Sequence, residues 1–372
     1  MATTKVSSAH DAQRIAALLQ LPEIMQLIAD LGETRWTGRP GYPIRTMIGA
    51  ALVKAVYALP TWTRTARLIS EHATLREIIG GAPSHWACYR FAGKLRDHGG
   101  MLTACLDRVL ASLHASDPSM GEVIAIDGSD LPAYANGHRH LFKDGPLRTK
   151  FADPDASWGH RSAISVRKGG GYYGYKIHAA VCTRTGLPVA WTVRTAAESE
   201  QEMVPGLLNT LIARGFTPSA AAMDKGYDGR LIYQACEERK MRPVIPLKLT
   251  AGVKAGLDNP PSCEHGSWTF AGSDAKRGAS KWRCPTGKCQ PASTWVKASR
   301  LHPLIPRSTD RWKALYHQRA SIEREFGRLK HEWGMLPLRA RRLPRVTLHV
   351  HLTILGQLAG ALAEVNAVEI SA

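Results

Sequence analysis

The sequence predicts an α/β protein: a mixed sheet flanked by helices, with a helical domain before it and a subdomain inserted into it. Three observations predict this. Residues 1 to about 118 carry apolar side chains at helical spacing. From Gly121 onward, short β-branched runs alternate with helical stretches. Between about 249 and 308, a stretch rich in Gly, Pro, Ser and Lys breaks that rhythm before a helix resumes. The expected division is therefore 1–118 (helical), 119–248 (first part of the core), 249–308 (insertion) and 309–372 (closing helices).

Each element has its own signal. "IRTMIGAALVKAVYALP" is helical and stops at Pro60. "TWTRTARLISEH" and "HWACYRFAGKLRDHGG" are short helices with basic faces. That pattern suits a DNA-binding head or a plain helical domain with solvated arginines. "VIAID" is a short strand ending on Asp127, and "YYGYKIHAAVCTRTGLPVAWTVRT" a hairpin turning near Thr185–Gly186. A helix from about Glu200 to Arg214 follows, with Pro205 inside it. "SAAAMD" is a strand ending on Asp224, "GRLIYQACEERK" a helix and "RPVIPLK" a strand. Trp268, Trp282 and Trp295 are spaced through the insertion, and one helix is expected from Thr309 to Trp333. Val346 to Ala363 carries no formal charge; it reads as a buried core helix, so no membrane partner is expected.

Composition narrows the class of partner. With 44% apolar and 22% charged residues, the 372-residue chain is not a disordered polyelectrolyte. Lys and Arg number 49 against 31 Asp and Glu, a formal charge of +18. A field of that sign concentrates polyanions, nucleic acid before an anionic membrane surface. Seven scattered cysteines make no disulfide framework and point to a reducing compartment. No secretory signal is evident at the N-terminus, so a cytoplasmic location is expected.

The acids among these cations carry the chemistry. On a helical wheel of "YHQRASIEREFGRLK" with Tyr316 at zero, Arg319 falls at about −60°, Glu323 at about −20° and Lys330 at about −40°. Leu315, Ile322, Phe326, Leu329 and Trp333 cluster near −110°, and Glu325 lies at about 180°. This places Glu323 beside the buried seam and turns Glu325 away. Glu323 can also be read as a simple ion-pair partner of Arg319 one turn back. Asp127 and Asp224 end two strands, where open sheets gather functional groups. Two aspartates and one helix glutamate can hold two divalent cations about 3.5–4 Å apart. Hard oxygen ligands suit Mg²⁺ or Mn²⁺, and flanking Arg and Lys suit phosphates.

These residues resemble the DDE transposases of bacterial insertion sequences, in the group with a Tyr-Arg-Glu-Lys signature. Tyr316, Arg319, Glu323 and Lys330 match its Y-x₂-R-x₃-E-x₆-K spacing without a gap. "AIDGSD" looks like the first-Asp motif and "AMDKGYD" like the second, and the likeness covers roughly 38 to 360, including "GRPGYP". The resemblance implies an RNase H-like core and Mg²⁺-dependent cleavage and strand transfer with no covalent enzyme–DNA intermediate. It implies Asp127, Asp224 and Glu323 as ligands of two Mg²⁺ or Mn²⁺ ions, and no other cofactor. Tyr316, Arg319 and Lys330 would contact transposon-end DNA. Double-stranded DNA, as transposon ends and target, would be the partner of a homodimer at the bacterial nucleoid. A related nuclease that cuts without transposing and a decayed DNA-binding protein are the alternatives. In some relatives an insertion Trp stacks a flipped base, but core packing fits any one of these three Trp residues better.

Two further motifs complete the reading. Lys176 and His178 share one face of a strand; they either line the cleft and touch DNA or stand aside from it. "RKGGGYYGYK" reads as a DNA-facing loop. Cys263-x-His265 and Cys284-x₄-Cys289 offer four zinc ligands, but the spacing departs from a zinc ribbon and no structural zinc is expected.

Overall fold

The computed structural model describes residues 8–34, 41–137, 151–161, 169–248 and 260–371. Seven helices come first: α1 (Ser8–Leu18), α2 (Pro22–Gly32), α3 (Ile44–Val56), α4 (Trp62–Glu71), α5 (Ala73–Ile79), α6 (His85–Asp97) and α7 (Gly99–Ser116). Their ends follow local chemistry. The Thr61 hydroxyl accepts the Arg64 amide at the start of α4, and Ser84 accepts the Ala87 amide at the start of α6. Gly80 ends α5 at a φ of 79°. Every residue of α3 from Thr46 to Ala55 is buried, so α3 is the central helix of this group.

The sheet follows from β1 (Val123–Pro132), β2 (Ser157–Arg161), β3 (Gly170–Cys182), β4 (Pro188–Thr195), β5 (Ala220–Ala222) and β6 (Arg242–Val244). β1 and β3 pair antiparallel from Ile124↔Cys182 to Pro132↔Gly174. The opposite edge of β3 takes β2 at Gly170–Gly174 and β4 beyond it. After β4, α8 (Glu200–Ala213) and α9 (Arg230–Glu238) return the chain so that β5 lies parallel to β1 and β6 parallel to β5. The strand order is β2-β3-β1-β5-β6.

Between β6 and the closing helices lie a hairpin, β7 (Ser262–Cys263) with β8 (Gly266–Ser267), and a three-stranded sheet of β9 (Thr269–Asp274), β10 (Ala279–Arg283) and β11 (Ser293–Lys297). The chain closes with α10 (Asp310–His317), α11 (Ala320–His331) and α12 (Leu343–Ser371). α12 is long and apolar enough to cross a membrane, but 78% of its apolar window is buried in the protein. It packs on α3, α7 and β4. One continuous apolar core joins the N-terminal helices, the sheet and α12.

Three local expectations change. β1 runs on past Asp127 to Pro132. The glycine-rich stretch is strand from Gly170, because β2 pairs with it from Gly170 to Gly174 and β1 from Gly174 onward; Arg167 and Lys168 lie outside the described residues. The helix expected from Thr309 to Trp333 is two helices. The Gln318 and Arg319 amides bond three residues back, to Leu315 and Tyr316, and Ser321 and Ile322 repeat this spacing. Those tighter turns break the wheel's phase between Tyr316 and Glu323.

Candidate active site

Parallel pairing sets the site. Ala125 of β1 lies beside Ala222 of β5. Two residues further on, Asp127 and Asp224 come level at the same end of the sheet. β4 is antiparallel to β3 and so runs with β1. Its end, and the start of α8 just after it, lie at that end too. α11 packs against β1 and β3 and brings in Glu323 on its first turn.

The three predicted acids are linked to different degrees. The Arg319 guanidinium bridges two of them: Nη1 stands 3.4 Å from Asp127 Oδ2 and Nη2 2.5 Å from Glu323 Oε1. A cation thus already sits between these carboxylates. Asp127 also accepts the Gly128 amide at 2.8 Å, and Asp224 accepts the Gly226 amide at 2.7 Å. Burial pushes the Asp127 carboxyl up to about 7, and the charges of Asp224 and Glu200 push the same way. The Gly128 amide and Arg319 oppose them. Asp127, largely shut off from water and with the charges of Asp224 and Glu200 near it, offers the hard oxygen donors that a divalent cation takes.

Glu200 was not singled out from the sequence, and neither was Tyr227. Glu200 starts α8, and its Oε1 accepts from Lys176 Nζ at 2.7 Å. A Cβ on Gly128 would stand 3.2 Å from both Glu200 Oε1 and His178 Nδ1, so glycine leaves room for both side chains. Tyr227 is fully buried beneath the acids; burial raises its hydroxyl well above the ordinary value, and Asp127, Glu200 and Asp224 add to this. The sequence signal for Glu200 was an acid in the first turn of a helix that follows a strand parallel to β1. Tyr227 left no comparable signal.

The other expected residues divide. Lys330 Nζ lies 3.6 Å from Asp130 Oδ1, three residues beyond Asp127 on β1, and Arg161 pairs with the same Asp130 at 2.8 Å. Tyr316 is half-buried and stacks on Trp312, with ring centroids 5.1 Å apart. His178 is 1% exposed, and burial drives its imidazole down to about 3; in this arrangement it lies under the site and cannot reach DNA. Glu325 is a correction. It does not point away but is buried, with Arg328 Nη1 at 3.4 Å and Gln357 of α12 close by. Its spacing of three from Ile322 and four from Leu329 puts it in the apolar stripe. Burial raises its carboxyl to about 7.

A second feature lies between α6 and the start of α12. A cleft of about 510 Å³ is lined by Trp86, Tyr89, Arg96, Tyr134, Arg339 and Arg341, among others. Trp86 is 65% exposed and Tyr89 45%. The Arg339 and Arg341 guanidiniums lie 4.6 and 5.1 Å from the Tyr134 ring. Cations and open aromatic faces together suit a nucleic-acid strand.

Comparison with known proteins adds the following. The family described as "Transposase DDE domain" matches residues 118–356, and "Transposase domain (DUF772)" matches residues 2–92. The cryo-EM structure of a piggyBac transposase synaptic complex with hairpin DNA is similar at 13% identity and a TM-score of 0.42, over 97% of this chain and 76% of that one. No curated protein matches the chain.

Proposed function

The chain belongs to the transposase DDE domain family, and we propose that it binds the ends of an insertion sequence and cuts and rejoins phosphodiesters there. The observation that carries this reading is the β1–β5 register, which levels Asp127 with Asp224, together with the Arg319 bridge from Asp127 to Glu323. We read the sheet as RNase H-like: β1 to β4 joined by antiparallel pairings, then β5 and β6 added in parallel through α8 and α9, support this.

Asp127, Asp224 and Glu323 would hold Mg²⁺ or Mn²⁺. Such ions, when bound, supply an activated water or hydroxyl and charge stabilisation at the leaving oxygen. The chain's own groups do the rest. Arg319 neutralises the acids while DNA is absent, and its planar fork suits a phosphate when DNA arrives. Lys176, held by Glu200, and Lys330, held by Asp130, place further positive charge by the same strands. Gly128 lets Glu200 approach closely. The cleft beside α6 supplies a sequence-independent grip, with aromatic faces for bases and guanidiniums for phosphates.

One copy at each end, acting as a homodimer, and work in a reducing bacterial cytoplasm complete the proposal. Incubating the protein with end-bearing DNA, Mg²⁺ and a target plasmid tests it. Joined products are expected. Cut but unjoined DNA would reduce the function to that of a nuclease, and bound but intact DNA to that of a binding protein.

A further inference from the structure

We propose that Cys263, Cys284 and Cys289 are three ligands of a structural zinc ion, with His265 as the fourth. The site lies between β6 and α10, apart from the carboxylates. Three short elements deliver the sulfurs. Cys263 ends β7 at a two-residue turn, Cys284 follows the last residue of β10, and the turn from Pro285 to Lys288 brings Cys289 back. The three sulfurs all lie within 4.8 Å of one another, and those of Cys263 and Cys284 are 3.8 Å apart. With a Zn–S bond of about 2.3 Å, two sulfurs on a tetrahedral zinc stand roughly 3.8 Å apart. A disulfide would need about 2.05 Å.

Hydrogen-bond donors gather on the Cys284 sulfur. The Thr286 hydroxyl lies 3.5 Å from the Cys284 sulfur, and the Thr286 and Cys289 amides also bond to that sulfur. Gly287, at a φ of 72°, lets the turn close that tightly. His265 is two residues from Cys263 on the same hairpin. Its ring now faces Glu264 at 3.5 Å, and it must turn from there to serve as the fourth ligand.

This part of the chain also needs a staple. From 260 to 300 the buried residues are Ala279, Ser280, Trp282 and Cys284. A layer with so few buried side chains cannot be held by apolar packing alone, and small folds of this kind are commonly clamped by a metal. Zinc would tie the β7–β8 hairpin to the end of β10. The sequence spacing argued against zinc because it does not match a ribbon, whereas the fold shows the sulfurs already gathered.

The test uses the full chain purified under reducing conditions. Elemental analysis should find about one zinc per chain. Titrating the thiols with a mercurial should release it to a chromogenic chelator. Cobalt exchanged into the wild-type protein should give thiolate-to-metal charge-transfer absorption, a readout that needs no variant to fold. Cys284→Ser and Cys289→Ser should lose most of the zinc, and Cys236→Ser, buried in α9, should keep it. Chelation should open residues 260–300 to protease while the rest resists. His265→Ala should release zinc faster to a competing chelator; an unchanged rate would remove His265 from the site. The proposal is overturned if wild-type protein refolded with zinc retains none. It is equally overturned by full zinc in both Cys284→Ser and Cys289→Ser, or by an intact mass lower by two hydrogens, which would show a disulfide.

Discussion

Asp127, Asp224 and Glu323 make different contacts, yet removing any one charge should have the same effect on cleavage. Asp127→Asn, Asp224→Asn and Glu323→Gln should each cut the rate by more than roughly 100-fold while DNA binding is largely kept, since a lost ligand acts at the transition state. Single-turnover cleavage beside a binding titration checks this; normal cleavage by one variant would remove that residue from the site. Glu325 behaves otherwise. Its folded carboxyl titrates at about 7 against an ordinary 4.5, so ionisation is disfavoured in the fold. Its stabilising share is present below about 4.5 and is lost as pH rises through 7. Glu325→Gln should therefore raise the melting temperature at pH 8 by on the order of 3 °C and flatten its fall between pH 5 and 8. A lower melting temperature for Glu325→Gln at pH 8 would mean that the Arg328 pairing outweighs desolvation. Cleavage should stay near wild type in either case.

At the scale of the element, the turn between α10 and α11 decides where Arg319 points. A continuous helix would have left it one turn before Glu323 on one face. The i to i−3 turns instead let it reach Asp127 on β1 as well as Glu323. Arg319→Ala should slow cleavage by about 10- to 100-fold, less than the Glu323 change, because positioning is lost and the ligands remain. Arg319→Lys should restore only part, since an ammonium cannot grip a phosphate with two bonds. If Arg319 is only an ion-pair partner, melting will drop and the specific activity of the folded fraction will not. Both measurements on one sample separate the two roles.

Over the whole molecule, an excess of +18 implies a strongly salt-dependent grip on DNA. If 6–10 phosphates are contacted, affinity should fall by about 10³ to 10⁵ between roughly 50 and 200 mM salt. Arg96→Ala in the cleft should lower the salt slope by about 1, and Trp86→Ala should weaken binding by about 1–3 kcal/mol with the slope unchanged. A flat salt response, or wild-type binding by both variants, would place the main DNA contact elsewhere.

The sequence by itself determined the features that depend on near neighbours. The β3–β4 hairpin, α8 with Pro205 inside it, the apolar α12 and the four-residue spacing in "YHQRASIEREFGRLK" all follow from periodicity and turn chemistry within a few residues. Contacts between distant segments were decided by the tertiary structure. β2, "SWGHR", has no strand signal of its own and becomes a strand because β3 offers it an edge. Glu200 joins the acids because β4 runs with β1, and His178 is buried because helices, α8 and α11 among them, pack over β3. Glu325 goes inward because the Ile322–Leu329 stripe, rather than the face of Tyr316, packs on the sheet. The three cysteine sulfurs meet because a hairpin and a strand end fold together across 21 residues between Cys263 and Cys284. A side chain's own few neighbours set its helix or strand; which side chains meet is set by the burial of apolar surface between elements far apart in the chain.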